Sequence, residues 1–173
     1  MKICTLVGNP KAGSRTRVAA EALAVRLAGP SDTVDVIDLA EYTSEIFAWP
    51  SEKMNALTTR VAGSTILIVA SPTYKATYTG LLKSFLDRYS AYDLANVRAI
   101  PVMTGADRGH KMAPDVNLRP LLVELGASVP TESLYIEMPK IDALDELLSE
   151  WLRRNASTLP LDAAIRAEMV AAQ

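Results

Sequence analysis

Three short runs hold the residue types that could do chemistry in this chain. Residues 8–16 read Gly-Asn-Pro-Lys-Ala-Gly-Ser-Arg-Thr. The two glycines permit tight turns, and Ser14 stands where a helix would be capped. The first N–H groups of a helix lack partners within it and lie at the positive end of its dipole, so the run suits an anion. Ser14 and Thr16 add hydroxyl donors; Lys11 and Arg15 add charge. One phosphate fits a loop of this kind. The run lacks the Gly-Lys-Ser/Thr ending of a Walker A loop, and it is not Gly-x-Gly-x-x-Gly, so a tightly held dinucleotide is not expected. Taken alone, it reads equally as a plain strand-to-helix turn closed by a serine.

The second run, 71–80, is Ser-Pro-Thr-Tyr-Lys-Ala-Thr-Tyr-Thr-Gly. Pro72 stiffens the backbone, and Thr73, Tyr74 and Lys75 offer N–H groups at a strand end. A flat heterocycle needs in-plane donors and an apolar wall, and this composition supplies both. Tyr74 and Tyr78 read equally as half-buried packing residues. The third run, 104–110, is Thr-Gly-Ala-Asp-Arg-Gly-His and carries the single histidine, His110. It reads as a contact for a ribose or a nicotinamide phosphate, or as a solvated loop residue. With one histidine and one cysteine, neither a metal site nor a Ser-His-Asp triad is expected, and no catalytic side chain is assigned. Trp49 could shield a ligand edge or simply pack.

These runs sit between alternating elements. Apolar strand patterns cover 3–7, 33–39, 65–70 and 99–103, with a fifth strand inside 128–138 broken near Pro130. Helical spacing covers the stretch from Ser14 to Gly29-Pro30, then 51–61, 80–89, 118–125 and 141–155. Such alternation makes a parallel sheet covered on both faces. Ligands of these sheets bind at the carboxyl ends of strands, where strand order reverses. The three runs follow strands one, three and four.

The chain has 173 residues, 49% hydrophobic and 22% charged, with a net charge of −2, which reads as a single globular domain whose tail from about 158 is marginal. The charge argues against nucleic acid and anionic membrane as partners. No apolar run approaches a membrane span or a signal peptide. Cys4 is the single cysteine and reads as a small core residue, so a reducing cytoplasm is expected.

The stretch Ser71-Pro72-Thr73-Tyr74 with Gly80-Leu81-Leu82-Lys83-Ser84-Phe85-Leu86-Asp87 resembles the NADPH-dependent FMN reductase family. The stretch 74–80 is most similar to the branch serving alkanesulfonate monooxygenases. The resemblance covers roughly residues 1–138 and implies a flavodoxin-like three-layer α/β sandwich, with a five-stranded parallel sheet of order 2-1-3-4-5. It also implies roles. Lys11, in place of the family's arginine, would hold the FMN phosphate with Ser14, Arg15 and Thr16; Asn9, in place of serine, keeps a polar contact. Pro72, Thr73, Tyr74 and Lys75 would line the isoalloxazine ring. Thr104, Gly105 and Ala106 stand at the family's Thr-Gly-Gly, beside the pyrimidine side. Ala106 departs from glycine, which bears on whether a positive φ is needed there. Some branch members insert a tyrosine in the fourth helix to make a π-bulge; no such tyrosine lies between Pro114 and Pro120, where Val116 and Asn117 stand, so flavin is expected to be held differently, as a tighter prosthetic group.

The implied reaction is hydride transfer from NAD(P)H to FMN, with Arg15, Arg108 or Lys75 meeting nicotinamide phosphates. Reduced flavin or electrons would pass to a partner monooxygenase or to a small acceptor. Rival readings are a quinone, azo-dye or metal-oxyanion reductase with tightly bound FMN, a flavodoxin-type electron carrier, and a flavin-free scaffold. The helix at 80–89 shows Leu82, Phe85, Leu86 and Tyr89, more than one face needs, and the family's pairing implies a homodimer or homotetramer.

Overall fold

The structure is a computed structural model that describes residues 1–161. Five parallel strands form one sheet: β1 Lys2–Val7, β2 Thr33–Asp38, β3 Ile66–Pro72, β4 Arg98–Gly105 and β5 Leu134–Glu137, in the order β2-β1-β3-β4-β5. The helices are α1 Arg15–Leu27, α2 Glu52–Ala62, α3 Gly80–Leu86, α4 Arg119–Glu124 and α5 Leu144–Asn155. Order reverses between β1 and β3, so the loops after these two strands flank the crevice where such sheets bind ligands.

β3 is buried along its whole length, and β1 from Ile3 onward, because helices cover both faces. One core layer packs Leu6, Leu67, Val69 and Met103 against α2, α3 and α4 through Leu57, Phe85 and Leu122. The other packs Ile3, Ile68 and Ile100 against α1 and α5 through Leu23, Leu148 and Trp151. Edge strand β2 keeps Thr33 and Val34 exposed and buries its end, Ile37 and Asp38.

Helix starts follow their caps. The Ser14, Ser51 and Thr79 side chains accept the N–H groups of Arg17, Met54 and Leu82. Three ends differ from the sequence expectation. The helix at 80–89 stops as an α-helix at Leu86, since Arg88 and Tyr89 bond three residues back and tighten the last turn. Leu82, Phe85 and Leu86 lie in the chain's own core, Leu81 and Tyr89 are partly buried against it, and the Tyr89 hydroxyl donates to Thr58 O. The fourth helix opens with a π-helical turn, Pro114–Leu118, despite lacking an inserted tyrosine. The Arg119 N–H reaches Pro114 O, five residues back, instead of its α-type partner Asp115 O, and the next residue, Pro120, has no N–H to give Val116 O. The last helix is preceded by a 3₁₀ stretch, Met138–Ala143. Of the tail from about 158, Leu159 and Leu161 are buried and 162–173 lie outside the described residues.

Candidate active site

The loop after β1 folds around two fixed points. Gly13 adopts φ 60°, a turn that favours glycine, and its N–H donates to Asp38 Oδ2 at 3.2 Å. Asn9 Oδ1 accepts the Lys11 N–H at 2.9 Å. The N–H groups of Ala12, Ser14, Arg15 and Thr16 then have no partner among the described residues. They cluster at the N-terminus of α1, where the dipole favours an anion. Lys11 and Arg15 are exposed beside them, and neither is paired with a carboxylate among the described residues. Arg17 bonds Glu21 at 2.6 Å and Glu41 at 3.3 Å, and its bonds to Glu21 and then Asp38 raise its pKa.

The loop after β3 is a tight reversal. Tyr74 and Thr77 exchange backbone hydrogen bonds, and the two residues between them, Lys75 and Ala76, both take positive φ, 51° and 69°. Neither is glycine, so the turn is strained. Asn117 Nδ2, in the π turn, donates to Ala76 O at 3.0 Å and holds its tip. The Thr73 N–H donates to Thr104 O at 2.7 Å, which ties this loop to β4. The Thr73 hydroxyl is buried with no hydrogen-bond partner in the protein.

The loop after β4 rests on Tyr135 of β5. The Tyr135 hydroxyl donates to Asp107 O at 2.7 Å. Partial burial, with the nearby Asp107 and Glu137 carboxylates adding to it, raises its pKa, so it stays a neutral donor. A Cβ at residue 105 would lie 1.9 Å from that hydroxyl, so glycine is needed there for close approach. Ala106 does not take positive φ, and its departure from glycine therefore costs the loop nothing.

Beneath the loops lies a buried polar chain. Asn9 Nδ2 donates to Thr16 Oγ1 at 3.2 Å, and Thr16 Oγ1 shares a proton with Thr104 Oγ1 at 2.8 Å. The Thr79 hydroxyl donates to Gly8 O, and the Thr79 N–H donates to Ser71 Oγ at 3.0 Å. All three loops are thus linked from below, and satisfied networks of this kind rigidify what they support. Thr16 commits its hydroxyl to this chain and leaves its N–H for a ligand.

Together the loops wall a cleft of about 430 Å³ at the strand ends. Of the residues expected at a ligand, Asn9, Lys11, Ser14, Arg15, Thr16, Pro72, Thr73, Tyr74, Thr104, Gly105 and Ala106 line it. Lys75 does not; it sits at the exposed tip of its turn. Gly13 and Met138 line it as well. Met138 was not legible as a site residue, because its position depends on the crossover after β5 and not on any local pattern. Arg108 bonds Glu137 at 3.2 Å, and His110 is exposed. Trp49 is 70% exposed with Arg88 over its ring at 4.4 Å, and it belongs to a separate depression beside α3. Cys4 is buried in β1. Among the described residues, no group of three or more His, Cys, Asp or Glu side chains could hold a metal. No helix among them is long and apolar enough to cross a membrane.

The expected backbone donors of the 72–75 loop are not free: the Thr73 and Tyr74 N–H groups are spent within the protein and Lys75 lies outside the cleft. A parallel sheet of this order, with an anion-ready helix start facing a stiff loop across the switch point, defines a flavodoxin-like cofactor-binding protein. The chain belongs to the NADPH-dependent FMN reductase family, which it matches over residues 1–139. It is 32% identical over 130 residues to an FMN reductase (NADPH) of Escherichia coli, covering 73% of this chain and 68% of that one. It is 28% identical to an FMN reductase (NADPH) of Pseudomonas putida, over 99% of this chain and 92% of the relative. The crystal structure of an NADH:FMN oxidoreductase in its apo form superposes with a TM-score of 0.76 at 26% identity, covering 95% of this chain and 93% of that one.

Proposed function

We propose that the chain is one FMN-binding domain that reduces FMN with NAD(P)H. The observation that carries this reading is that one cleft joins two different recognition surfaces: free N–H groups with two unpaired cations at one end, and the stiff 72–74 and 104–106 backbone at the other. FMN carries one phosphate and one flat, hydrogen-bonding ring, so the donor set suits it. The buried, unpartnered Thr73 hydroxyl supports the same fit, since such a group costs free energy until a ligand satisfies it.

In this reading Lys11, Arg15, Ser14 and the N–H groups of the α1 start bind the phosphate. Pro72, Thr73 and Tyr74 hold one edge of the ring, and Thr104, Gly105 and Ala106 hold the other. When bound, FMN supplies the hydride-accepting centre and the nicotinamide supplies the hydride. The residues contribute orientation and electrostatics; no side chain has to move a proton for that step. Tyr74 is half-exposed at the rim of the cleft. Reduced flavin then passes to a separate monooxygenase, a reading supported by the stretch 74–80. A cytoplasmic setting is supported by the free thiol of Cys4.

The test is flavin titration. Replacing Lys11 and Arg15 together by alanine raises the Kd for FMN about tenfold or more while leaving riboflavin, which has no phosphate, within about twofold. Equal loss for both flavins, or no loss, contradicts the assignment of the phosphate end.

A further inference from the structure

Asp38 closes β2 and points under the loop after β1. Its side chain is 1% exposed. It accepts the Gly13 N–H at 3.2 Å and the Ala40 N–H at 3.3 Å, and Arg17 Nη1 lies at 3.4 Å. Buried carboxylates are rare unless paired, and this one is held by two backbone donors and a cation from two other elements. It lies one hydrogen bond from a loop that offers its other N–H groups to an anion. By Coulomb's law a negative charge there opposes a phosphate. Its presence therefore needs a reason strong enough to outweigh that repulsion.

Conformation supplies the reason. Gly13 holds the one positive φ in the 8–16 run, and its N–H is the one that Asp38 takes. Without that bond the turn is free to relax, because a glycine populates several backbone regions at similar cost. With it, the turn is fixed ahead of Ser14, Arg15 and Thr16, which line the cleft and whose N–H groups have no partner among the described residues. Arg17 offsets the carboxylate charge and is itself tied by Glu21 and Glu41. We propose that Asp38 is a positioning residue for phosphate recognition: it clamps the Gly13 turn from beneath and so presets the Ser14, Arg15 and Thr16 N–H groups for a flavin phosphate. This rests on the reading that the 8–16 loop receives that phosphate.

The test compares FMN with riboflavin on the full chain. Asp38→Ser keeps a short acceptor for the Ala40 N–H but withdraws it from Gly13. It raises the FMN Kd about tenfold, the loss of one charge-assisted hydrogen bond, and leaves the riboflavin Kd within about twofold. Asp38→Asn, which keeps the shape and one acceptor, shows the same selectivity with a smaller loss, and it decides the question if the serine variant fails to fold by circular dichroism. A purely structural role weakens both flavins alike, and that outcome overturns the proposal, as does a folded pair of variants that bind FMN like the wild type. A wild-type protein with no preference for FMN over riboflavin overturns the phosphate reading itself, and this inference with it.

Discussion

A Cβ at Gly105 would meet the Tyr135 hydroxyl at 1.9 Å and its ring carbon Cζ at 2.8 Å. Overpacking of this kind costs typically 1–3 kcal/mol, roughly 1 kcal/mol or more here. Gly105→Ala is therefore expected to lower the melting temperature and to weaken FMN binding about tenfold, measured by thermal melt and flavin titration. Adding Tyr135→Phe removes the nearest atom and recovers part of both losses; no recovery contradicts the contact as the cause. Ala106→Gly, by contrast, leaves FMN affinity within about twofold, because Ala106 needs no positive φ. At this scale the sequence pointed to residues that the structure brings to one cleft, since Lys11, Ser14, Arg15 and Thr73 carry their chemistry in their identity. It did not show Asp38 or Tyr135. Both act from beneath, through contacts with Gly13 and Gly105 that exist only after β2 and β5 are placed beside other strands.

The Lys75–Ala76 turn is an element that stores strain. Each left-handed non-glycine residue costs roughly 1–2 kcal/mol, whereas a glycine adds about 0.5–1 kcal/mol of chain entropy to folding. The first term is larger, so Ala76→Gly stabilises the protein by about 0.5–1 kcal/mol and raises Tm by about 2 °C. A lower Tm contradicts the strained geometry. Element starts were legible, because Ser14, Ser51 and Thr79 announce caps by residue type. Other boundaries were not: α3 finishes early through three-residue bonds, and α4 opens with a π turn in which the Arg119 N–H reaches Pro114 O. Neither leaves a mark in hydrophobic spacing. The strain at 75–76 was hidden as well, since lysine and alanine give no signal of a left-handed turn.

At the scale of the molecule, the five alternations of strand and helix showed the covered parallel sheet directly. The order β2-β1-β3-β4-β5 rested on resemblance, because pairing between distant strands is not written in local pattern. Burial in this sheet pushes the Cys4 thiol up to about 12, with Asp35 adding to the shift and Arg60 opposing it. The reactive thiolate is therefore suppressed in the folded state. Cys4 is expected to react with iodoacetamide at mildly alkaline pH only as fast as the chain unfolds, followed by mass spectrometry; rapid labelling of the native protein contradicts the buried strand. Flavin reduction by NAD(P)H requires FMN and a nicotinamide to meet at this cleft in sequence. Its most direct test is anaerobic stopped-flow mixing of the protein with FMN and either NADPH or NADH, following both nicotinamide and flavin absorbance. The account predicts that nicotinamide is oxidised only when FMN is present, with matching loss of oxidised flavin. Absence of FMN-dependent oxidation with both nicotinamides, in a protein that is folded, contradicts it.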